Sequence, residues 1–444
     1  MELNDVFGVS SSPVASYVSR VKVDDAFKSA IGQGRHIVVY GASKQGKTAL
    51  VSRYLDYSKN VVIRLEPATT LEDIYSSILR DSRIEIEVVR RESSGSAMSA
   101  KGGVEAKATI FGFGGGGVTA EAGLDSSRSD EREFSQIPFN LSLAQSVVEL
   151  LRRVDFDKKV VLENFHYLSE EQQRRLAFAL RSFEEMGVVF VILGVWRERD
   201  KLRNYCGDLT DRLLEVPVEP WENSDFYEVA KKGAALLCVD LAPAIIGECA
   251  KSSFGSIGVF QELMKETFRA AGVERKGQGS KVIEDIAFPQ EAIKIKSVQY
   301  GAVHARSLNL IASGHVSHIQ PGSLQPLVLP YYMVRAILRA GIDFSHGMTR
   351  AALTGAIKSE HHRPEAVRSA DMSNLLNKIS LLQCKKGISP PILDYDYEGR
   401  TIFAVDSTFF FFLRNCNLSE FLEEMINPLD CLSEASSDEE TVLA

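Results

Sequence analysis

The chain has 444 residues and a formal net charge of -8, with 45% hydrophobic and 25% charged residues. That length leaves room for two or three domains, and the acidic balance excludes a protein coated in basic surface while allowing a local basic patch. No apolar run approaches the span of a bilayer, and the first residues lack the basic-then-apolar pattern of a leader. The six cysteines, Cys206, Cys238, Cys249, Cys384, Cys416 and Cys431, have no C-x-x-C spacing, so they read as buried thiols rather than metal ligands or a disulfide framework. A cytoplasmic protein without a membrane partner is expected.

Val23–Ile31 forms an amphipathic stretch closed by Gly32 and Gly34, a helix with glycine stops. It leads into the apolar strand Ile37–Tyr40 and then into Gly41-Ala42-Ser43-Lys44-Gln45-Gly46-Lys47-Thr48, followed by the helix-compatible Ala49–Leu55. This is G-x-x-x-x-G-K-[ST] in its required setting of strand, loop and helix. The glycines let the backbone curl until its N–H groups surround a polyphosphate. Lys47 is expected on the β- and γ-phosphates, Thr48 on Mg²⁺, and the helix N-terminus adds its dipole. Residues 41–49 are therefore candidate contacts to a nucleotide.

A second strand, Asn60–Leu65, precedes a helix over Thr70–Leu79. Strands alternating with helices after such a loop predict an α/β fold with a parallel, doubly wound sheet. Residues 91–136 form an insertion rich in Ser, Gly and Ala. Val104–Phe111 and Val118–Ala122 flank Gly114–Gly117 with loose alternation, so the segment is read either as a mobile β-hairpin or as a disordered surface loop. The core resumes with a helix over Leu143–Arg152, the strand Lys159–Leu162, a helix over Glu170–Leu180 and the apolar strand Val188–Leu193.

A phosphate-loop enzyme needs an acid at a neighbouring strand end for Mg²⁺ and a second group to orient water. Here Glu163 stands at the first position and Asn164 at the second. An amide orients a water but takes no proton from it, so turnover is expected to be slow or to depend on another group.

Tyr17-x-x-Arg20, the loop at 41–48, Leu162-Glu-Asn-Phe-His166-Tyr-Leu168 and the strand ending Gly194-Val-Trp-Arg-Glu198 together resemble AAA+ and STAND-type ATPases. The likeness is to those grouped with origin-recognition proteins and transposon regulators, over roughly residues 1–275. The resemblance implies a helical lid after the sheet, ATP and Mg²⁺ as cofactors, and Tyr17 and Arg20 as contacts to the base. It also implies an arginine that reaches the neighbouring subunit's γ-phosphate, for which Arg212 is the candidate; the local alternative pairs Arg212 with Asp208 or Asp211. The lid segment Phe254–Gln261 lacks the family's arginine, and Gly194 stands where a polar sensor is expected. His166, Trp196 and Trp221 read first as structural groups.

The implied organisation is an ATPase core over 1–220, a helical lid over 221–275, a linker over 276–299, a second unit over 300–430 and a disordered acidic tail over 431–444. In the second unit, helices over Pro330–Leu338, Thr349–Ile357 and Met372–Leu381, then a hairpin over Pro391–Val405, resemble a winged helix. Arg350, Lys358, Arg363, Arg368, Lys378, Lys385 and Lys386 are its candidate phosphate partners. Phe409–Phe412 follow the cap residues Asp406 and Ser407 and anchor the last helix. The expectation is a homo-oligomeric, slowly hydrolysing ATPase whose nucleotide state controls assembly and engagement of duplex DNA or a partner effector protein. The resemblance further implies a role in mobile elements or anti-phage defence, as bacterial ATPases of this type often have. The rival is a non-hydrolysing ATP-binding scaffold whose C-terminal unit docks proteins.

Overall fold

The computed structural model describes residues 1–9, 13–88, 104–111, 134–314 and 324–430. The acidic tail, Cys431 and most of the insertion, including Val118–Ala122, lie outside them.

The strands, in chain order, are β1 (His36–Gly41), β2 (Val61–Arg64), β3 (Ile84–Val88), β4 (Glu105–Phe111), β5 (Phe134–Asn140), β6 (Val160–Glu163), β7 (Phe190–Val195), β8 (Leu213–Pro217), β9 (Val239–Leu241), β10 (Lys281–Ile283), β11 (Met348–Thr349), β12 (Leu393–Asp396) and β13 (Thr401–Ala404). Five of them make a parallel sheet in the order β2-β6-β7-β1-β8, the expected α/β phosphate-loop architecture. Every residue of β1, β6 and β7 is buried, because helices cover both faces, and so these strands read as continuous apolar runs. Register brings the functional strand ends to one edge: Gly41 lies beside Val195, Tyr40 beside Pro217, and Arg64 beside Glu163.

A second, antiparallel sheet, β3-β4-β5, buries Ile84, Ala106 and Ala108 in the same core. Both edges of β4 are occupied, by β3 and by β5. One of its partners is thus Phe134–Asn140, and the expected second arm Val118–Ala122 lies outside the described residues.

Helices Asn223–Leu236, Pro243–Ser252 and Ile257–Ala270 pack with Leu3, Val6 and Phe7 into a separate core. Gly233 is required there, since a Cβ would stand 2.1 Å from the Phe7 ring. The expected linker is corrected. From Ala287 to Ala312 the chain is one helix of 26 residues, about 39 Å long. Its first half joins the helical core through Ala292, and the buried Lys296 pairs with Glu262 at 2.7 Å and Glu266 at 3.5 Å; its second half joins the C-terminal core through Leu308 and Ile311. Polar, glycine-containing sequence at 274–281 ends at β10, which pairs with β9, so the flexible composition stops well before residue 299.

The C-terminal unit runs helix Leu329–Ala340, β11, helix Arg350–Glu360, helices Ser369–Asn377 and Ile379–Lys385, then β12 and β13, which pair antiparallel with β11 on the outer side of β13. The single helix expected over Met372–Leu381 is two helices, broken at Lys378 with ψ near 7°. The helix Ser407–Asn415 follows, capped by Asp406 and lined by the buried Phe409–Phe412.

Candidate functional site

The loop Gly41–Thr48 leaves β1 and enters the helix Lys47–Tyr54. Three of its residues have left-handed or related positive φ: Gly41 at 150°, Lys44 at 57° and Gly46 at 84°. Gly41 is fixed twice over, since a Cβ there would meet Val218 at 2.7 Å. Such a curl is the backbone conformation from which phosphate-binding loops are built, although here the N–H groups of Ala42 and Ser43 are engaged by Glu219 and by Val405 O. Lys47 folds back over the loop and donates to the carbonyls of Gly41 (3.0 Å) and Ala42 (2.6 Å). Burial lowers its pKa to about 8, against the pull of the Glu219 carboxylate.

Glu219 occupies one flank of the loop. Its carboxylate accepts from Ala42 N at 2.7 Å and from Gln45 Nε2 at 3.0 Å, and Arg197 lies 3.6 Å away. On the other flank stands the C-terminal unit. Ser43 N donates to Val405 O at 2.8 Å, Ser43 Oγ donates to Asp406 at 2.9 Å, and Ser407 Oγ donates back to Ser43 O at 2.6 Å. Gln45 Nε2 also reaches Ser407 Oγ at 3.2 Å. The lid closes the third side: Gly258 N donates to Lys44 O at 2.9 Å, and a Cβ at Gly258 would lie 2.5 Å from that of Lys44. The loop is thus held by sheet, lid and C-terminal unit together.

The two candidate base contacts, Tyr17 and Arg20, stand on the lid side. Tyr17 donates to Asp24 at 2.8 Å, with burial and then this bond raising its pKa. Arg20 donates to Val218 O at 2.8 Å and stacks 3.6 Å above the Trp221 ring, and burial lowers its pKa. Trp221 in turn lies 3.7 Å from where a Cβ of Gly46 would be, which places the Arg20–Trp221 stack directly beside the loop.

Of the metal candidates, Thr48 is half-buried at the start of its helix. Glu163 sits buried at the end of β6, but its carboxylate accepts from Tyr57 Oη at 2.9 Å and Arg64 Nε at 3.1 Å. These two bonds occupy one lone pair on each oxygen, so the phenol and the guanidinium compete with a metal's water shell for the same carboxylate. Among the described residues no group of three His, Cys, Asp or Glu side chains stands together as a metal cage. The loop's curvature and Lys47 suit a polyphosphate once Ala42 N and Ser43 N are freed, and a Mg²⁺ water shell would share Glu163 with Arg64 and Tyr57. Asn164 is exposed, in the left-handed region at φ 61°.

Arg212 lies at the opposite edge of the sheet. Its carbonyl accepts from His36 N, the first residue of β1, so about 17 Å of strand separates it from the chain's own loop. Its guanidinium pairs with Glu184 and, at 3.2 Å, with Glu185; Asp208 is taken by Arg181 at 2.7 Å. The expected local pairing with Asp208 or Asp211 is corrected accordingly.

Several residues at the site escaped sequence reasoning. Glu219 carries no motif, Arg197 is read only as part of the segment after the last apolar strand, and Asp406 and Ser407 only as a helix cap. Gly194 lacks a side chain for a packing reason, since a Cβ would collide with the Trp196 ring at 1.5 Å.

No protein-family model and no curated protein matches the chain. Among solved structures, it is similar to a Walker-type ATPase of Pyrococcus abyssi, with 11% identity and a TM-score of 0.46 over 90% of this chain and 96% of that one. It is also similar to the Orc1 protein of Aeropyrum pernix in complex with DNA, at 12% identity and TM-score 0.41 over 92% and 93% of the two chains. A third is the Thermotoga maritima RuvB Holliday junction branch migration motor, at 13% identity and 0.36 over 87% and 91%.

The C-terminal hairpin reaches the same edge of the sheet. Asp394 on β12 lies 3.7 Å from Lys201, Tyr167 and Ser389 share a hydrogen bond, and Arg197 lies 5.3 Å over the Phe410 ring. Glu198, beside them, is pushed up to about 7 by burial, against Lys201 and with Asp396 adding to the rise. Among the described residues no helix is long and apolar enough to cross a membrane.

Proposed function

We propose that the protein is an AAA+-like ATP-binding switch in which a nucleotide and the corner Val405–Ser407 of the C-terminal unit compete for the phosphate loop. The observation that carries this is the engagement of Ser43 on three atoms. Its N–H, one of the loop donors suited to a phosphate oxygen, is spent on Val405 O, and the Asp406 carboxylate sits 2.9 Å from its hydroxyl. A polyphosphate brings several negative charges to the same place, so it repels Asp406 and takes over the donor. Binding energy is thereby spent on parting the C-terminal unit from the core, which is what a nucleotide-dependent conformational equilibrium requires.

The C-terminal unit supports a winged-helix reading. Its order of helix, short strand, helices and two-stranded wing, with β11 joining the wing, matches that motif, and Lys378 and Lys385 are exposed along the presumed recognition segment. In the closed arrangement the base of the wing faces the core through Asp394, so release would free it for duplex DNA or a partner effector protein. Assembly into a homo-oligomer follows release in the same reading. Turnover is slow, because Glu163 is engaged by Arg64 and Tyr57 and Asn164 supplies no base. That same engagement favours the second reading, an ATP-binding scaffold that does not hydrolyse.

Calorimetry with ATP on the wild type and Lys47→Ala tests the site. Loss of binding in a folded mutant is expected, and undiminished binding would refute it. Mass photometry without nucleotide, with ADP and with a non-hydrolysable ATP analogue, with and without duplex DNA, tests the switch. Assembly or DNA retention only with the analogue is expected.

A further inference from the structure

The turn after β6, Phe165–Tyr167, carries a histidine that the loop motif does not explain. Both ring nitrogens of His166 are shut off from solvent, and neither has a hydrogen-bond partner. The other buried histidines among the described residues each have at least one ring nitrogen engaged, His304 with its Nδ1 left open. His36 holds Leu180 O at 2.7 Å and Phe190 N at 3.0 Å, His361 holds Leu327 O and Arg363 N, and His304 holds Thr408 Oγ1. Buried polar atoms are nearly always satisfied, so a ring with both nitrogens open marks a place where a polar group is received.

The surroundings specify its charge. His166 stands at the strand edge that carries the loop, within the field of the ammonium groups of Lys47 and Lys201, and burial together with these two cations lowers its pKa to about 3. The imidazole is therefore neutral, with one N–H to donate, and it lies between Lys47 and a Lys201 that is already paired with Asp394 at 3.7 Å. An anionic oxygen is the complement to that arrangement. Trp196 Nε1 and Trp221 Nε1 are also buried without a partner, but His166 is the side chain among them with two open ring nitrogens.

We propose that His166 receives the terminal phosphate of a bound nucleoside triphosphate, donating its N–H to a γ-phosphate oxygen while Lys47 spans the β- and γ-phosphates. The role rests on the ATP-binding reading above and adds to it the group that distinguishes ATP from ADP. Asn164, exposed on the same turn, is not needed for this discrimination.

The test compares equilibrium binding of a non-hydrolysable ATP analogue and of ADP to full-length protein carrying His166→Ala, His166→Gln or His166→Phe. His166→Ala should weaken the analogue about tenfold and ADP less than about twofold. His166→Gln, which keeps an N–H donor, should recover most of the difference; His166→Phe, which keeps only the shape, should not. Equal losses for both nucleotides, an unchanged ratio, or rescue by Phe would overturn the assignment and make His166 a packing or water-holding residue. Lys47→Ala separates the two layers of the argument, since it should lose both ligands. A wild type that binds neither would overturn the phosphate-loop reading itself, whereas one that binds both, with a ratio unmoved by His166→Ala, overturns the histidine alone.

Discussion

Replacing Asp406 by Asn removes the negative charge at the loop while keeping the shape and the helix cap. Three hydrogen bonds converge on Asp406 Oδ1, from Ser43 Oγ, Thr408 N and Thr408 Oγ1, each at 2.9 Å. Asn accepts all three and caps helices as well as Asp, so the fold should persist. Of these three, the Ser43 bond alone joins the C-terminal unit to the core. Exchanging a charged acceptor for a neutral one weakens such a bond by about 1 kcal/mol, which raises the open fraction about fivefold when the closed form dominates. Apparent affinity scales with that fraction, so Asp406→Asn should bind ATP about fivefold more tightly, and relief of carboxylate–phosphate repulsion acts in the same direction. Ser407→Ala, which deletes the 2.6 Å bond to Ser43 O, should tighten binding as well. Isothermal titration of the folded variants reads this directly. Unchanged or weaker affinity would refute the competition.

Four further outcomes follow. Lys47 has its pKa lowered to about 8 by burial, so the free protein loses this cation as pH rises through 8, and ATP affinity measured by titration should fall by up to about tenfold per pH unit above that point. His36 and His304 are each held near 4 by burial; the unfolded chain binds more protons between pH 4 and 6.5, so stability is lost as pH falls through that window, by roughly 2 kcal/mol per histidine at pH 5 in denaturant titrations. Arg64→Ala should release Glu163, and Asn164→Glu should supply a base, so both should raise Mg²⁺-dependent phosphate release, whereas Glu163→Gln should lower it; no change in any of the three would favour the non-hydrolysing scaffold. Arg212→Ala should cost about 1 kcal/mol of stability, discounted for the partial exposure of its pairs with Glu184 and Glu185, and leave ATP binding intact; activity regained on mixing it with Lys47→Ala protein would instead establish a role in a neighbouring subunit.

The parts of the site that are local in sequence could be read from it. The loop at 41–48 needs only a strand before it and a helix after it, and both are encoded within a few residues. Continuous apolar runs likewise announced β1 and β7, since a sheet covered on both faces tolerates little else. What could not be read is non-local. Ser43 meets Asp406 across a separation of 363 residues, and nothing in Asp406-Ser407 beyond a helix cap distinguishes it. Glu163 stands out in the sequence by its position after an apolar strand, yet its chemistry depends on Arg64, a neighbour only through the β2–β6 register. Arg212 shows the same limit, as sheet direction rather than sequence position puts it at the edge away from the loop. The linker reading failed because glycine and charge at 274–281 are local signals, whereas the following helix is stabilised by ion pairs from Lys296 to Glu262 and Glu266 on another helix.

The competition for the loop is tested most directly by hydrogen exchange on the full-length protein without nucleotide, with ADP and with a non-hydrolysable ATP analogue. The account predicts that the analogue protects the amides of residues 41–48 and at the same time speeds exchange over 405–413, with the second effect weaker in Asp406→Asn, where the contact is already loosened. Protection of both segments together, or protection of the loop with no change at 405–413, would contradict it.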